Sequence, residues 1–146
     1  MAGRFYEDWK VGDRIEHELR RTVTETDNLL ITALTHNPQP LHLDAEAASQ
    51  SEFGRILVNG VFTFGLMIGV SVADTTQGVL IANLGYDQVV MPKPVFIGDT
   101  VTLDAAITEI LPKHVAKINI IITKQTGEVV MDGKATVKLP GWLTKI

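Results

Sequence analysis

His42 is the side chain of this sequence best suited to moving protons. An imidazole titrates near pH ~6.5 when unperturbed, so it serves as base or acid around neutrality without special arrangement. It stands in the run Asn37-Pro38-Gln39-Pro40-Leu41-His42-Leu43-Asp44, where two prolines restrict the backbone just ahead of the ring. Asn37 cannot take up a proton, because an amide only donates and accepts hydrogen bonds. It either positions a water or a substrate oxygen, or it is a turn residue ahead of Pro38, a place that suits Asn. His36 is either a second acid or base, or a polar residue at a helix end, where a protonated ring meets a favourable dipole. Gly60 opens the longest apolar stretch of the chain, and the unsatisfied N–H groups of a helix start converge there. It either stabilises a developing oxyanion or serves helix packing alone, as Gly65 and Gly69 are expected to do.

Other chemistries lack their residues. With no Cys there is no disulfide scaffold, thiolate zinc site or thiol nucleophile. His36 and His42 are separated by two prolines at a spacing common to no metal motif, so no metal site is expected. No glycine-rich phosphate loop occurs. A net charge of -4 supplies no basic field for gripping nucleic acid.

The elements that must position these groups follow from periodicity. The chain has 146 residues, 45% of them hydrophobic and 21% charged, which fits one core-forming domain over 1–146. Residues 14–23 form a polar, partly alternating run that suits an exposed strand. From 24 or 26 to about 35, Leu29, Leu30, Ile31, Ala33 and Leu34 give a short helical face, with Thr or Asp as its cap. Asn37-Pro38-Gln39-Pro40 ends that helix. Residues 41–43 then lie on a loop before a brief helix capped by Asp44. Residues 59–73 are apolar on every face, which predicts a helix surrounded by protein.

Beyond Gly78 the pattern changes to strands, over 79–90, 95–97, Thr100–Leu111, Val115–Lys124 and Val129–Lys138, with Pro or Gly at the breaks. Val101, Leu103, Ala105 and Ile107, then Ile118, Ile120 and Ile122, alternate as strands with one more buried face do. The expected class is α+β: one long helix against a twisted antiparallel sheet. The acidic, aromatic start is no signal peptide, and 56–73 is too polar and short for a membrane span, so a cytoplasmic protein is expected.

Three stretches, residues 37–44, Val58-Asn59-Gly60-Val61 and the run from Pro94 to Val101, resemble in order and spacing the MaoC-like dehydratases, the R-specific enoyl-CoA hydratases of the hotdog fold. That resemblance implies a sheet wrapped around the central helix, a homodimer as the working unit, and an acyl-CoA thioester bound at the dimer interface. It implies no cofactor beyond the coenzyme A of the substrate, and no membrane or nucleic-acid partner. The family's catalytic His falls on His42, its neighbouring Pro on Pro40 and its oxyanion glycine on Gly60. Its catalytic Asp falls on Asn37, and its Asn on Gln39. Asn at the first of these places resembles the branch of mesaconyl-CoA hydratases and β-methylmalyl-CoA dehydratases, which act on branched or dicarboxylic acyl groups.

On this reading His42, Asn37 and Gly60 are catalytic, and Gln39, Val58, Asn59, Arg55 and Phe62 bind substrate. Arg55 and Lys93 are candidates for the phosphates of coenzyme A or a substrate carboxylate. Phe62, Phe64, Leu66 and Met67 line either an acyl tunnel or simply the core. Asp44 is a cap, and no role falls to His17 or His114. Two rivals share the fold: a hotdog thioesterase, and a non-catalytic acyl-CoA-binding subunit.

Overall fold

The computed structural model describes residues 3–143. A single 3₁₀ turn at Tyr6–Asp8 leads into two short strands, β1 (Arg14–Glu16) and β2 (Arg21–Thr22). Helices α1 (Glu25–Leu34), α2 (Pro40–Leu43), α3 (Ala45–Ser49) and α4 (Gly60–Thr75) follow. Strands β3 (Ala82–Val90), β4 (Thr100–Leu111), β5 (Val115–Lys124) and β6 (Val129–Lys138) complete the described chain. The sheet is antiparallel, ordered β1-β4-β5-β6-β3, with β2 also paired to β4. This is the α+β arrangement that the patterning predicts.

The core forms where the alternation places it. Leu103 pairs with Ile122, Ala105 with Ile120 and Ile107 with Ile118, and all six side chains are at most 2% exposed. Such cross-strand apolar pairs are the unit of sheet stability, and each large side chain fully buried contributes about 1.5–3 kcal/mol. Helix α4 lies across this face, with Thr63, Met67, Ser71 and Thr75 pointing inward at every fourth position. A side chain at Gly133 on β6 would meet Met67 Sδ at 3.0 Å, so glycine there lets the helix settle onto the sheet. Two of the inward hydroxyls are satisfied by their own helix, Ser71 donating to Ile68 O and Thr75 to Ser71 O.

Several elements depart from the sequence expectation. The run 14–23 is two strands, because His17 turns inward between them and its Nδ1 lies 2.7 Å from Asp74 Oδ2 near the end of α4. Residues 95–97 form no strand; Phe96 makes an isolated bridge to Leu57, since its N–H is taken by Asp99 Oδ2 and the Val95 carbonyl by Val58 N. Strand β3 starts at Ala82, because Val79 and Leu80 donate back to Thr76 in a turn. Residues 41–43 belong to the one-turn helix α2, which Pro40 opens from its first position.

The expected apolar face of α1 points outward: Leu29, Leu30 and Leu34 are 41%, 57% and 67% exposed, while Asn28 and Thr32 are buried. Nor is α4 surrounded by its own chain. Val61, Gly65, Gly69 and Ala73 form an exposed stripe opposite Met67, and nothing lies within 4 Å of a Cβ built at Gly65 or Gly69. Among the described residues no helix is long and apolar enough to cross a membrane.

Candidate active site

The segment that carries His42, helix α2 and the turn before it, is held through its backbone N–H and C=O groups. Gln39 O accepts the His42 N–H at 3.1 Å, Asn37 Oδ1 accepts the Gln39 N–H at 3.0 Å, and Leu41 O accepts the Leu57 N–H at 3.2 Å. The Asn37 contact is an Asx turn, the local structure that Asn favours before Pro. His36 closes α1 in the left-handed region at φ 54°, fully outside the core. Asp44 caps α3 by accepting from Glu46 N and Ala47 N.

His42 is 9% exposed, and its Nδ1 lies 2.7 Å from the Leu57 carbonyl oxygen. A carbonyl only accepts, so Nδ1 carries the hydrogen and the neutral ring keeps its lone pair on Nε2. Nε2 makes no hydrogen bond among the described residues, and His42 lines a cavity of about 460 Å³. A base aligned by its other nitrogen is the arrangement proton abstraction requires.

Gly60 lines the same cavity from the start of α4. Asn59 caps this helix, its Oδ1 accepting from Val61 N and its carbonyl from Phe62 N, both at 3.0 Å. The Gly60 N–H makes no hydrogen bond among the described residues, which leaves one donor at the positive end of a sixteen-residue helix. A Cβ at this position would lie 2.6 Å from Met91 Sδ, so a side chain here would push on the cavity wall.

The remaining wall is mostly apolar: Leu41, Phe53, Leu57, Val58, Thr63, Met91, Pro92, Pro94, Val95 and Val130. Among the described residues Lys93 is the one Lys or Arg on it, and no carboxylate lines it. Of the predicted site residues the fold therefore gathers His42, Gly60 and Val58. Asn37 and Gln39 form the turn before α2 and do not line this cavity. Arg55 stacks its guanidinium 3.9 Å over the Phe96 ring. Asn59 is 2% exposed and acts as the α4 cap, while Phe62 lines a separate groove with His17 and Asp74.

Two supports escaped the residue patterning. Asn28 donates from Nδ2 to His42 O and accepts on Oδ1 from Asn59 N, both at 2.9 Å. The available signal was a polar pair, Asn28 and Thr32, one helical turn apart and flanking the apolar run Leu29-Leu30-Ile31. Asp99 and Lys124 form a buried pair at 3.3 Å, with Lys124 Nζ also donating to Pro94 O on the cavity wall. Burial alone would raise the Asp99 carboxyl, but Gln125, the Phe96 N–H and Lys124 together hold it below the ordinary carboxylate range. Asp27, in a capping box with Thr24 and paired with Arg21, is likewise lowered against the opposing effect of its burial. Burial pushes the Tyr86 hydroxyl up. Among the described residues no three His, Asp or Glu side chains gather closely enough to hold a metal ion.

Residues 8–130 match the family model described as the MaoC like domain. A 3-hydroxyacyl-[acyl-carrier-protein] dehydratase of Solanum lycopersicum is 32% identical over 123 residues, covering 82% of this chain and 72% of that protein. The mesaconyl-CoA hydratase of Cereibacter sphaeroides is 34% identical over 106 residues, 73% of this chain, which matches only 31% of that longer protein. Among solved structures, a monoamine oxidase regulatory protein from Archaeoglobus superposes with a TM-score of 0.86 at 30% identity, covering 97% of this chain and 98% of that one. With the family model matched over most of its length, the chain belongs to the MaoC-like dehydratase family.

Proposed function

We propose that this protein is a hydro-lyase that adds water across, or removes it from, the 2,3 bond of an enoyl-CoA thioester, with His42 as acid and base. The observation that carries this reading is that His42 lines the same cavity as Gly60 while its Nδ1 is held by the Leu57 carbonyl, which leaves Nε2 as the nitrogen free to act as a base. In hydration, Nε2 takes a proton from water as the water oxygen bonds to C3. The electrons of the 2,3 bond move onto the thioester oxygen, where the Gly60 N–H stabilises the enolate; one such donor is commonly worth about 3 kcal/mol of barrier. Collapse of the enolate returns the proton from Nε2 to C2, so atoms balance and no cofactor enters beyond the coenzyme A of the substrate. Asn37 acts here by keeping the loop in register through its Asx turn. Lys93, exposed at the mouth, is suited to the phosphates of coenzyme A.

A thioesterase needs a carboxylate or its equivalent beside the thioester carbon, and among the described residues none lines this cavity. The decisive assay offers crotonyl-CoA, a branched enoyl-CoA and mesaconyl-CoA, following loss of enoyl-thioester absorbance and release of free thiol together. Hydration without thiol is the expected result. Thiol release would mark a thioesterase instead, and tight binding with neither change would mark a binding subunit.

A homodimer in the cytoplasm completes the proposal. Strand β3 is a sheet edge that carries exposed Leu84 and Val90, and the uncharged stripe on α4 lies open as well. Uncovered edges and apolar stripes of this kind invite pairing with a second copy. Wild-type protein should sediment as a dimer, and Leu84→Lys should shift it to monomer; an unchanged dimer would place the interface elsewhere.

A further inference from the structure

We infer that Asn28 is a positioning residue that sets the distance between the base and the oxyanion donor. This rests on the hydratase reading above for its kinetic consequence, though not for its geometry. Asn28 is 0% exposed, and its single amide spans the two halves of the site. Nδ2 donates to the carbonyl of His42 itself, and Oδ1 accepts the N–H of Asn59, the residue immediately before Gly60. The side chain of Asn59 then donates to Thr32 Oγ1 at 3.2 Å, one turn further along α1. Two segments far apart in sequence are thus bolted to one helix face by buried hydrogen bonds.

This arrangement explains why α1 turns its leucines outward. Burying an amide and a hydroxyl is costly unless every polar atom is paired, and a fully paired buried network fixes one geometry rather than several. A leucine at position 28 would fill the space but leave His42 O and Asn59 N without partners. What the network fixes is the separation of His42 Nε2 from the Gly60 N–H, the two groups that must act on neighbouring atoms of one substrate. Misplacement by about 1 Å costs roughly 100-fold in rate.

The two arms of the amide can be separated by experiment. Asn28→Asp keeps an acceptor for Asn59 N–H but places a second acceptor against the His42 carbonyl. The expected result is a fall of roughly 100-fold in kcat for crotonyl-CoA with KM unchanged. In ¹⁵N NMR of the imidazole, the single Nδ1-protonated tautomer of His42 in wild type should give way to mixed tautomers. Thr32→Val, isosteric and unable to accept from Asn59, should lower kcat less, again at constant KM, and it decides the matter if the Asp variant does not fold. Unchanged kcat and an unchanged tautomer in a folded variant would overturn the assignment, as would a loss of activity that tracks the unfolded fraction alone. Should wild type turn over no enoyl-CoA, the hydratase reading fails, and the NMR comparison still decides the role of Asn28.

Discussion

Replacing His42 with glutamine should lower hydration of a 2-enoyl-CoA by about 10²–10⁴-fold while leaving the fold intact. Glutamine is close in size to the imidazole, and its amide can still donate toward the Leu57 carbonyl that now accepts from Nδ1. The loop therefore keeps its anchor, and what disappears is the lone pair on Nε2. An amide cannot take a proton from water near neutrality, so the loss falls on kcat rather than on KM. Among the described residues no carboxylate lines the cavity, so none of them stands ready to replace the base. The measurement is the initial rate of absorbance loss, paired with circular dichroism and a thermal midpoint to show that the variant is folded. Turnover within a few fold of wild type would remove His42 from the mechanism.

The parts of this arrangement that are local in sequence are legible there. Strands β5 and β6 coincide with their expected bounds, because alternation at period two and Pro or Gly at the turns are local signals. The break ahead of His42 and the start of α4 are legible for the same reason, since Pro40, Asn59 and Gly60 declare their positions without reference to distant residues, whereas residues 41–43, expected as a loop, form α2. The orientation of α1 is not. Hydrophobic periodicity favours burying Leu29, Leu30 and Leu34, and the opposite face wins because Asn28 finds its partners at His42 and Asn59. The break between β1 and β2 is hidden likewise, since the burial of His17 depends on Asp74. Polar groups are buried when partners exist, and those partners here lie 14, 31 and 57 residues away.

Asp99 shows how far such a buried polar group can matter without touching substrate. Asp99→Asn should destabilise the protein by about 3–5 kcal/mol, because it strips the buried Lys124 ammonium of its counter-charge. Lys124 and Asp99 are 9% and 7% exposed, so water cannot take the place of the lost partner. The sign of the pH dependence follows from the carboxyl being held below the ordinary range in the fold. Its stabilisation is complete above the unfolded-state value, near pH ~4, and is lost as pH falls through the lower folded value. Urea midpoints of wild type and Asp99→Asn should differ most at neutral pH and converge in acid; a gap that stays constant to pH ~3 would show that the carboxylate charge is not what stabilises the fold. The site should respond too. Lys124 Nζ holds Pro94 O, on the cavity wall, at 3.0 Å, and Asp99 Oδ2 holds the N–H of Phe96, next to the wall residue Val95, at 2.8 Å, so the pair supports the Pro94 and Val95 part of that wall. At a temperature where the variant is folded, KM for the enoyl-CoA should rise while kcat changes little, the reverse of the pattern at His42. The wall and the base are supported from different elements, one by the turn before β4 and the end of β5 through an ion pair and the other by α1 through an amide, so their failures separate in the kinetics.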